Sequence, residues 1–399
     1  MSIKDKFSKV VLEPKLVGVP RHILEYPDAI MIGGSEPWAW KVGSEYVPKP
    51  VRDAAKEAID SKLIHCGDSR GTMEFKEAVS RKVKEFNGIE ADPEDEILVS
   101  PGSGHSLHLA TMTFLDPGDE VITTDPTFSF STWGGNLSRA RVKYIPISPK
   151  NEWKITPEEI EERITPKTKL LYFTDPDNPT GRVFTKNDVE GIAQVAQEHD
   201  LIVLVDQNFD RVTYDGVKHY SFAALAGMKE RTVTIWSMSK EYALSSFRIG
   251  YTVAHKDVIE RMRVLQIQNG SAGASPIFQR AAKVAMETYS DDLWKEWVAY
   301  WQKGRDITVP MVNDIPGMST TLPKGCYALY ADISKFGRSL EVCTYIAEKA
   351  HVLPSPGMWF GPEVGDRGIR IVYGGIEHEK LIEALKRMKE VMGEHPANK

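Results

Sequence analysis

Short apolar runs recur through the middle of this chain, spaced too widely for simple hairpins. Ile97–Ser100, Val121–Thr124, Val142–Ile145, Leu170–Phe173, Leu201–Asp206, Thr232–Trp236 and Ile249–Val253 each read as a strand. The run Leu201–Val205 is apolar at every position and ends on Asp206. Unbroken apolarity is the mark of a strand covered on both faces, as in parallel sheets. Helical periodicity separates most of these runs. Thr156–Arg163 has Thr156 at an N-cap position and Glu159 three residues on, and Thr185–His199 follows the same plan. Pro50–Ser61 and Gly71–Phe86 read as earlier helices. This alternation predicts an α/β fold, a mostly parallel sheet with helices on both faces. A long helix, Asp291–Val312, then carries Trp294, Trp297, Tyr300 and Trp301 along one face, a pattern that fits a core stripe. Beyond it, strands at Tyr327–Asp332 and Ile369–Tyr373 and helices at Leu340–Ala350 and Glu377–Met392 predict a smaller α+β domain. The expected division is an N-terminal arm with part of the small domain (1–50), a large domain (51–290) and a C-terminal small domain (291–399).

The segment between the last two apolar runs of the sheet holds the most informative chemistry. Ile235–Tyr251 reads I-W-S-M-S-K-E-Y-A-L-S-S-F-R-I-G-Y, with Lys240 three residues after Ser237 and eight before Arg248. A strand-end lysine that sheds its charge forms a Schiff base with an aldehyde. A hydroxyl and an arginine beside it suit a phosphate. Upstream, Leu170–Arg182 runs from a strand into a turn, D-P-D-N-P-T-G-R, that contains Asn178. Open α/β sheets bind ligands at the carboxyl ends of their strands, which would bring Asn178, Asp206 and Ser237 to one edge. A carboxylate closing a buried strand needs a partner, and Asp206 would find one in a protonated pyridine nitrogen.

The order N-P-T-G, V-D, S-x-S-K and R-I-G-Y resembles the class I/II aminotransferases, pyridoxal-phosphate enzymes of fold type I. The likeness runs from about Gly33 to about Gly375 and is nearest to the aspartate and kynurenine aminotransferase branches. It implies pyridoxal 5′-phosphate as cofactor and the following roles. Lys240 forms the Schiff base and moves the proton at the substrate Cα. Asp206 holds the pyridine nitrogen, and Asn178 bonds the ring's phenolic oxygen. Ser237 and Arg248 hold the phosphate, with the backbone of Gly102, Ser103 and Gly104 at a helix N-terminus. Phe128 stacks on the ring. Arg370 grips the substrate carboxylate, with Gly34 beside it.

The chain also departs from that pattern. Phe209 stands where the family has a tyrosine that donates to the phenolic oxygen, and a phenyl ring has no donor. Cys66, beside His65, stands where the family has a tyrosine reaching the partner's phosphate. Trp38, Trp40, His65, Cys66 and His105 are candidates for shaping the pocket. Arg70 and Arg182 are candidates for a second substrate carboxylate, although both sit in turns where a solvated arginine is the default. The implied function is transfer of an amino group from an α-amino acid to a 2-oxo acid, by a homodimer with shared active sites. The alternatives are a β-lyase, racemase, decarboxylase or oxidase on the same scaffold, and then a non-catalytic regulator.

Composition narrows the partners. A net charge of −6 with 27% charged residues argues against nucleic acid. No apolar run has membrane-spanning length. Three unpatterned cysteines, Cys66, Cys326 and Cys343, and a charged N-terminus without a signal-peptide core predict a cytoplasmic protein with no metal site.

Overall fold

The computed structural model describes residues 28–34, 47–61, 65, 67–128 and 138–398; Trp38, Trp40 and Cys66 lie outside them. Strand β1 (Ile30–Met31) precedes the main sheet. That sheet is built from β2 (Ile97–Ser100), β3 (Glu120–Asp125), β4 (Arg141–Pro146), β5 (Thr168–Thr174), β6 (Ile202–Asp206), β7 (Thr232–Ser237) and β8 (Gly250–Val253). The strands lie in the order β2-β8-β7-β6-β5-β3-β4. From β7 to β4 every pair is parallel, and β8 alone runs against both its neighbours. The reversal has a local cause. The link from β7 to β8 contains only a single 3-10 turn, Ser245–Phe247, and no helix to carry the chain back across the sheet. In the interior strand β5, Leu170 to Phe173 are completely buried, as unbroken apolarity requires, while edge strand β4 is half-exposed.

The expected helices form at Lys49–Asp60, Met73–Asn87, Ser103–Phe114, Pro157–Glu161, Lys186–Glu198, Asp291–Asn313, Ser339–Ala350 and His378–Gly393. Thr156 and Thr185 both close reciprocal capping boxes, with Glu159 and Asp188. Two helices, Lys256–Gln268 and Pro276–Thr288, were not anticipated. The first mixes buried Ile259 and Met262 with exposed Val264 and Ile267, which blurs its apolar stripe. The second buries alanines, Ala281, Ala282 and Ala285, against the alanine-bearing helix Lys49–Asp60.

Beyond the long helix, β9 (Ala328–Asp332), β10 (Val352–Leu353), β11 (Ser355–Pro356) and β12 (Gly368–Val372) follow. An antiparallel sheet has the order β11-β12-β9, and β1 pairs in parallel with β10. The stripe on the long helix is core: Trp294, Trp297 and Trp301 are buried, and Trp301 Nε1 donates to Gly374 O at 3.1 Å. Between the two sheets, the Asp125 carboxylate at the end of β3 accepts the amides of Glu363 and Val364 at 3.0 Å and Gly365 at 2.7 Å.

Register places the candidate residues together. Thr174 pairs with Asp206, Asp206 with Ile235, and Gly250 with both Ser237 and Ser100. The ends of β2, β5, β6 and β7 and the start of β8 therefore share one edge.

Candidate active site

At one end of this edge the helix Ser103–Phe114 begins directly after β2. Gly102, its N-cap, has φ +88°, and no side chain caps the first turn. Uncapped amides at a helix N-terminus make a receptor for an anion. A Cβ on Gly102 would lie 2.3 Å from Arg248 Nη2, so the guanidinium packs directly over the loop. Arg248 itself is left-handed, φ +54°, and its Nη1 donates to Ser245 O at 2.9 Å and Ser239 Oγ at 3.4 Å. Ser237 Oγ accepts the Ser239 amide at 3.0 Å. Lys240, half-buried, follows in the same turn. Two serines, an arginine, a glycine cradle and a helix N-terminus thus converge beside the lysine. This donor set fits a phosphate monoester dianion.

Asp206 stands next to it. Burial pushes its carboxyl up to about 7, against the pull of the Asn208 amide. Its Oδ1 accepts the Asn208 main-chain N–H at 3.0 Å, and its Oδ2 the Asn208 side chain at 3.2 Å. A buried acid in this condition is stabilised by an incoming cation, which a protonated pyridine provides. Asn208 also donates to Ser103 Oγ at 3.0 Å, linking Asp206 to the helix start. Neither Asn208 nor Ser239 was anticipated, because a short polar residue in a turn carries no distinctive signal.

At the far end Arg370 projects from β12 and is 93% buried (7% exposed). Its Nη1 donates to Asn178 Oδ1 at 3.1 Å, and its Nη2 to Gly33 O at 2.9 Å and Ser355 Oγ at 3.2 Å. Its Nε is buried without a hydrogen-bond partner, and no acid pairs with it among the described residues. Desolvation works against its charge, so a carboxylate entering here would relieve a standing penalty. Because Asn178 turns its oxygen to Arg370, its amide nitrogen is left to donate elsewhere. The carbonyl that meets Arg370 belongs to Gly33; Gly34 follows it and is exposed. Phe128, half-buried, has its ring centroid 6.3 Å from that of Phe360, over which the Arg370 guanidinium also lies at 4.8 Å.

Other expectations need correction. Arg182 is not solvated. It is buried, 3.6 Å from Asp177, and stacks 4.0 Å above the Phe184 ring. Asp177 organises this turn, accepting from Thr174 Oγ1 at 2.6 Å and the Thr180 amide at 3.1 Å. Arg70 bonds Glu260 at 2.8 Å. Both arginines are thus committed to acids of the chain itself. Arg370, which the resemblance places at the substrate carboxylate, is buried. His105 lies on the helix Ser103–Phe114, its Nε2 buried without a partner, and burial pulls its pKa down. His65 is exposed. Phe209 is buried edge-on against the Tyr327 ring at 4.9 Å.

Comparison with known proteins agrees with this geometry. Residues 41–388 match the family model described as aminotransferase class I and II. An aromatic-amino-acid aminotransferase 2 of Thermococcus litoralis is 35% identical over 87% of this chain and 89% of its own. An aspartate aminotransferase of Pyrococcus abyssi is 35% identical over 92% of each. The crystal structure of an aromatic aminotransferase from Pyrococcus horikoshii superposes with a TM-score of 0.86 at 33% identity, covering 94% of this chain and 99% of that one.

Proposed function

Since the chain belongs to the class I and II aminotransferase family, a pyridoxal-phosphate-dependent group, we propose that Lys240, Asp206 and Arg370 are the residues through which it moves an amino group from an α-amino acid to a 2-oxo acid. The single observation that carries this assignment is the buried Asp206, its carboxyl pushed up to about 7 beside an uncapped helix N-terminus. Pyridoxal phosphate supplies an electron sink and a carrier for the amino group when bound. Arg370 binds the substrate carboxylate with the Gly34 backbone beside it, while the Gly33 carbonyl holds the guanidinium in place, and the hold of Arg370 on Asn178 Oδ1 orients that side chain to donate to the ring's phenolic oxygen. Phe128 covers one face of the ring. Gly102, Ser103, Gly104, Ser237 and Arg248 anchor the phosphate, with Ser239 supporting Arg248. Asp206 keeps the ring nitrogen protonated, and Lys240 takes and returns the proton at Cα. The donor's side chain is met by groups other than Arg70 and Arg182.

The same reading divides the chain into an arm with part of the small domain (1–50), a cofactor domain (51–290) and a small domain (291–399). The seven-stranded and three-stranded sheets and the β1–β10 pairing support that division. It also includes a homodimer. The packed helices Ser103–Phe114 and Lys256–Gln268 expose Met112 (38%), Val264 (38%) and Ile267 (49%), the kind of apolar surface that a second copy covers. Full activity from a monomer at high dilution would contradict it. A cytoplasmic setting is supported by the free, buried thiols of Cys326 and Cys343.

Mixing the protein with single amino acids, without acceptor, and recording the cofactor spectrum names the donor. Conversion to the pyridoxamine form is expected, whereas products of elimination, racemisation or decarboxylation would replace transamination with another reaction. Lys240→Ala is expected to lose at least about a thousandfold in turnover while still binding cofactor non-covalently. Borohydride reduction and peptide mapping should find the cofactor on Lys240. Attachment to any other lysine removes the assignment.

A further inference from the structure

Asn208 joins two parts of the cradle that the strand order keeps apart. Asp206 closes β6, and Ser103 opens the helix after β2. In the sheet β7 and β8 lie between those two strands. The Asn208 side chain spans the gap, with Nδ2 donating to Asp206 Oδ2 at 3.2 Å and to Ser103 Oγ at 3.0 Å. Its main-chain N–H fixes the other carboxylate oxygen, Asp206 Oδ1, at 3.0 Å. Asn208 is only 8% exposed, and its Oδ1 is buried with no hydrogen-bond partner. An apolar residue would leave no such orphan, so the amide is costly where it stands. What it provides is a fixed separation between Asp206 and Ser103.

That separation has a chemical use. The cofactor's ring nitrogen and its phosphate are the two ends of a nearly rigid molecule. A site that must engage both gains affinity if its two receptors are already held at the matching distance. Ser103 belongs to the phosphate receptor, and Asp206 to the nitrogen. We propose that Asn208 is a positioning residue for the cofactor, bridging Asp206 to Ser103 so that both ends of pyridoxal phosphate are met at once. This rests on the assignment of Asp206 and Ser103 to opposite ends of the ligand.

The test is a double-mutant cycle on cofactor affinity. Cofactor-free wild type, Asn208→Ala, Ser103→Ala and the double variant are titrated with pyridoxal phosphate, following tryptophan fluorescence, and each is melted without cofactor. Asn208→Ala should weaken binding about tenfold or more, because a hydrogen bond to a charged group is lost. The double variant should bind less than about threefold more weakly than Asn208→Ala, because either change breaks the same bridge. A residue that merely packs would lower the melting temperature and leave affinity untouched. Equal affinity of Asn208→Ala and wild type overturns the proposal, as does strict additivity in the cycle. If Asn208→Ala does not fold, Asn208→Ser, too short to reach both partners, is judged by the same criteria. A wild type that binds no cofactor fails at the premise, which separates that failure from failure of the bridge.

Discussion

Asp206 is the residue whose environment has the clearest thermodynamic consequence. With its folded pKa pushed up to about 7 by burial, it holds a proton more tightly folded than unfolded, where carboxyls titrate near 4. Between those values the native state carries more protons, so stability falls as pH rises. Tyr172, buried within range of Asp206, stays neutral throughout, since its own pKa is raised well above the ordinary value. The cofactor-free protein should therefore lose up to about 4 kcal/mol between pH 4 and 7 through this one group. Asp206→Asn should escape the loss. Thermal melts of both proteins from pH 4.5 to 8 decide it: a stability difference that does not widen in the variant's favour with pH refutes the mechanism. Phe209 offers a second measurement. Under the proposed roles, Asn178 would be the main donor to the cofactor's phenolic oxygen without a phenol there. Phe209→Tyr should lower the pH midpoint of the bound cofactor's visible absorbance by about one to two units, provided that Tyr327, edge-on at 4.9 Å, leaves room. Superimposable titrations would mean that the missing hydroxyl has no electronic effect. Lys240 and Asp206 were legible in the sequence as candidates because each is a charged residue at the end of an apolar run, and Arg370 through the resemblance alone. Asn208, Ser239 and Asp177 were not, since ordinary turns are made of the same residues.

At the scale of elements, the meeting of β8 with the start of the helix Ser103–Phe114 is a tight constraint on the candidate site. A Cβ on Gly250 would lie 2.5 Å from both Gly102 C and Ser103 N, and backbone cannot yield as a flexible side chain does. Gly250→Ala should cost about 1–3 kcal/mol of stability and weaken cofactor binding as well, because the displaced atoms belong to the loop proposed to hold the phosphate. Urea unfolding and cofactor titration would measure the two effects; a variant unchanged in both contradicts the contact. The capped helices were predictable because Thr156 with Glu159 and Thr185 with Asp188 form closed local circuits. Lys256–Gln268 escaped because its exposed Val264 and Ile267 make no single apolar face.

Across the whole molecule the two sheets are joined where Asp125 receives three amides from residues 363–365. That segment leads into β12, which carries Arg370. Asp125→Ala would strand those amides at a cost of about 2 kcal/mol, allowing for water at the more exposed ones. The substrate KM should rise, and by more than the cofactor Kd, because the joined segment leads directly to Arg370. A KM equal to wild type would show that the junction does not hold Arg370.

The sequence by itself determined the strands of the main sheet and the two longer strands of the small one, most helices, the parallel character of the main sheet and the reactive residue types, but not the two-residue strands β1, β10 and β11. These are written in windows shorter than about twenty residues, as apolar period, caps and charged residues at the ends of apolar runs. Tertiary structure decided which of the candidates meet. Arg370 reaches Gly33 across 337 positions, and Asn208 reaches Ser103 across 105. It also withdrew Arg182 from the site by supplying Asp177 as its partner. Such choices depend on which strands become neighbours and in what register. No local pattern encodes that, because the free energy deciding it comes from burial and pairing between segments far apart in the chain.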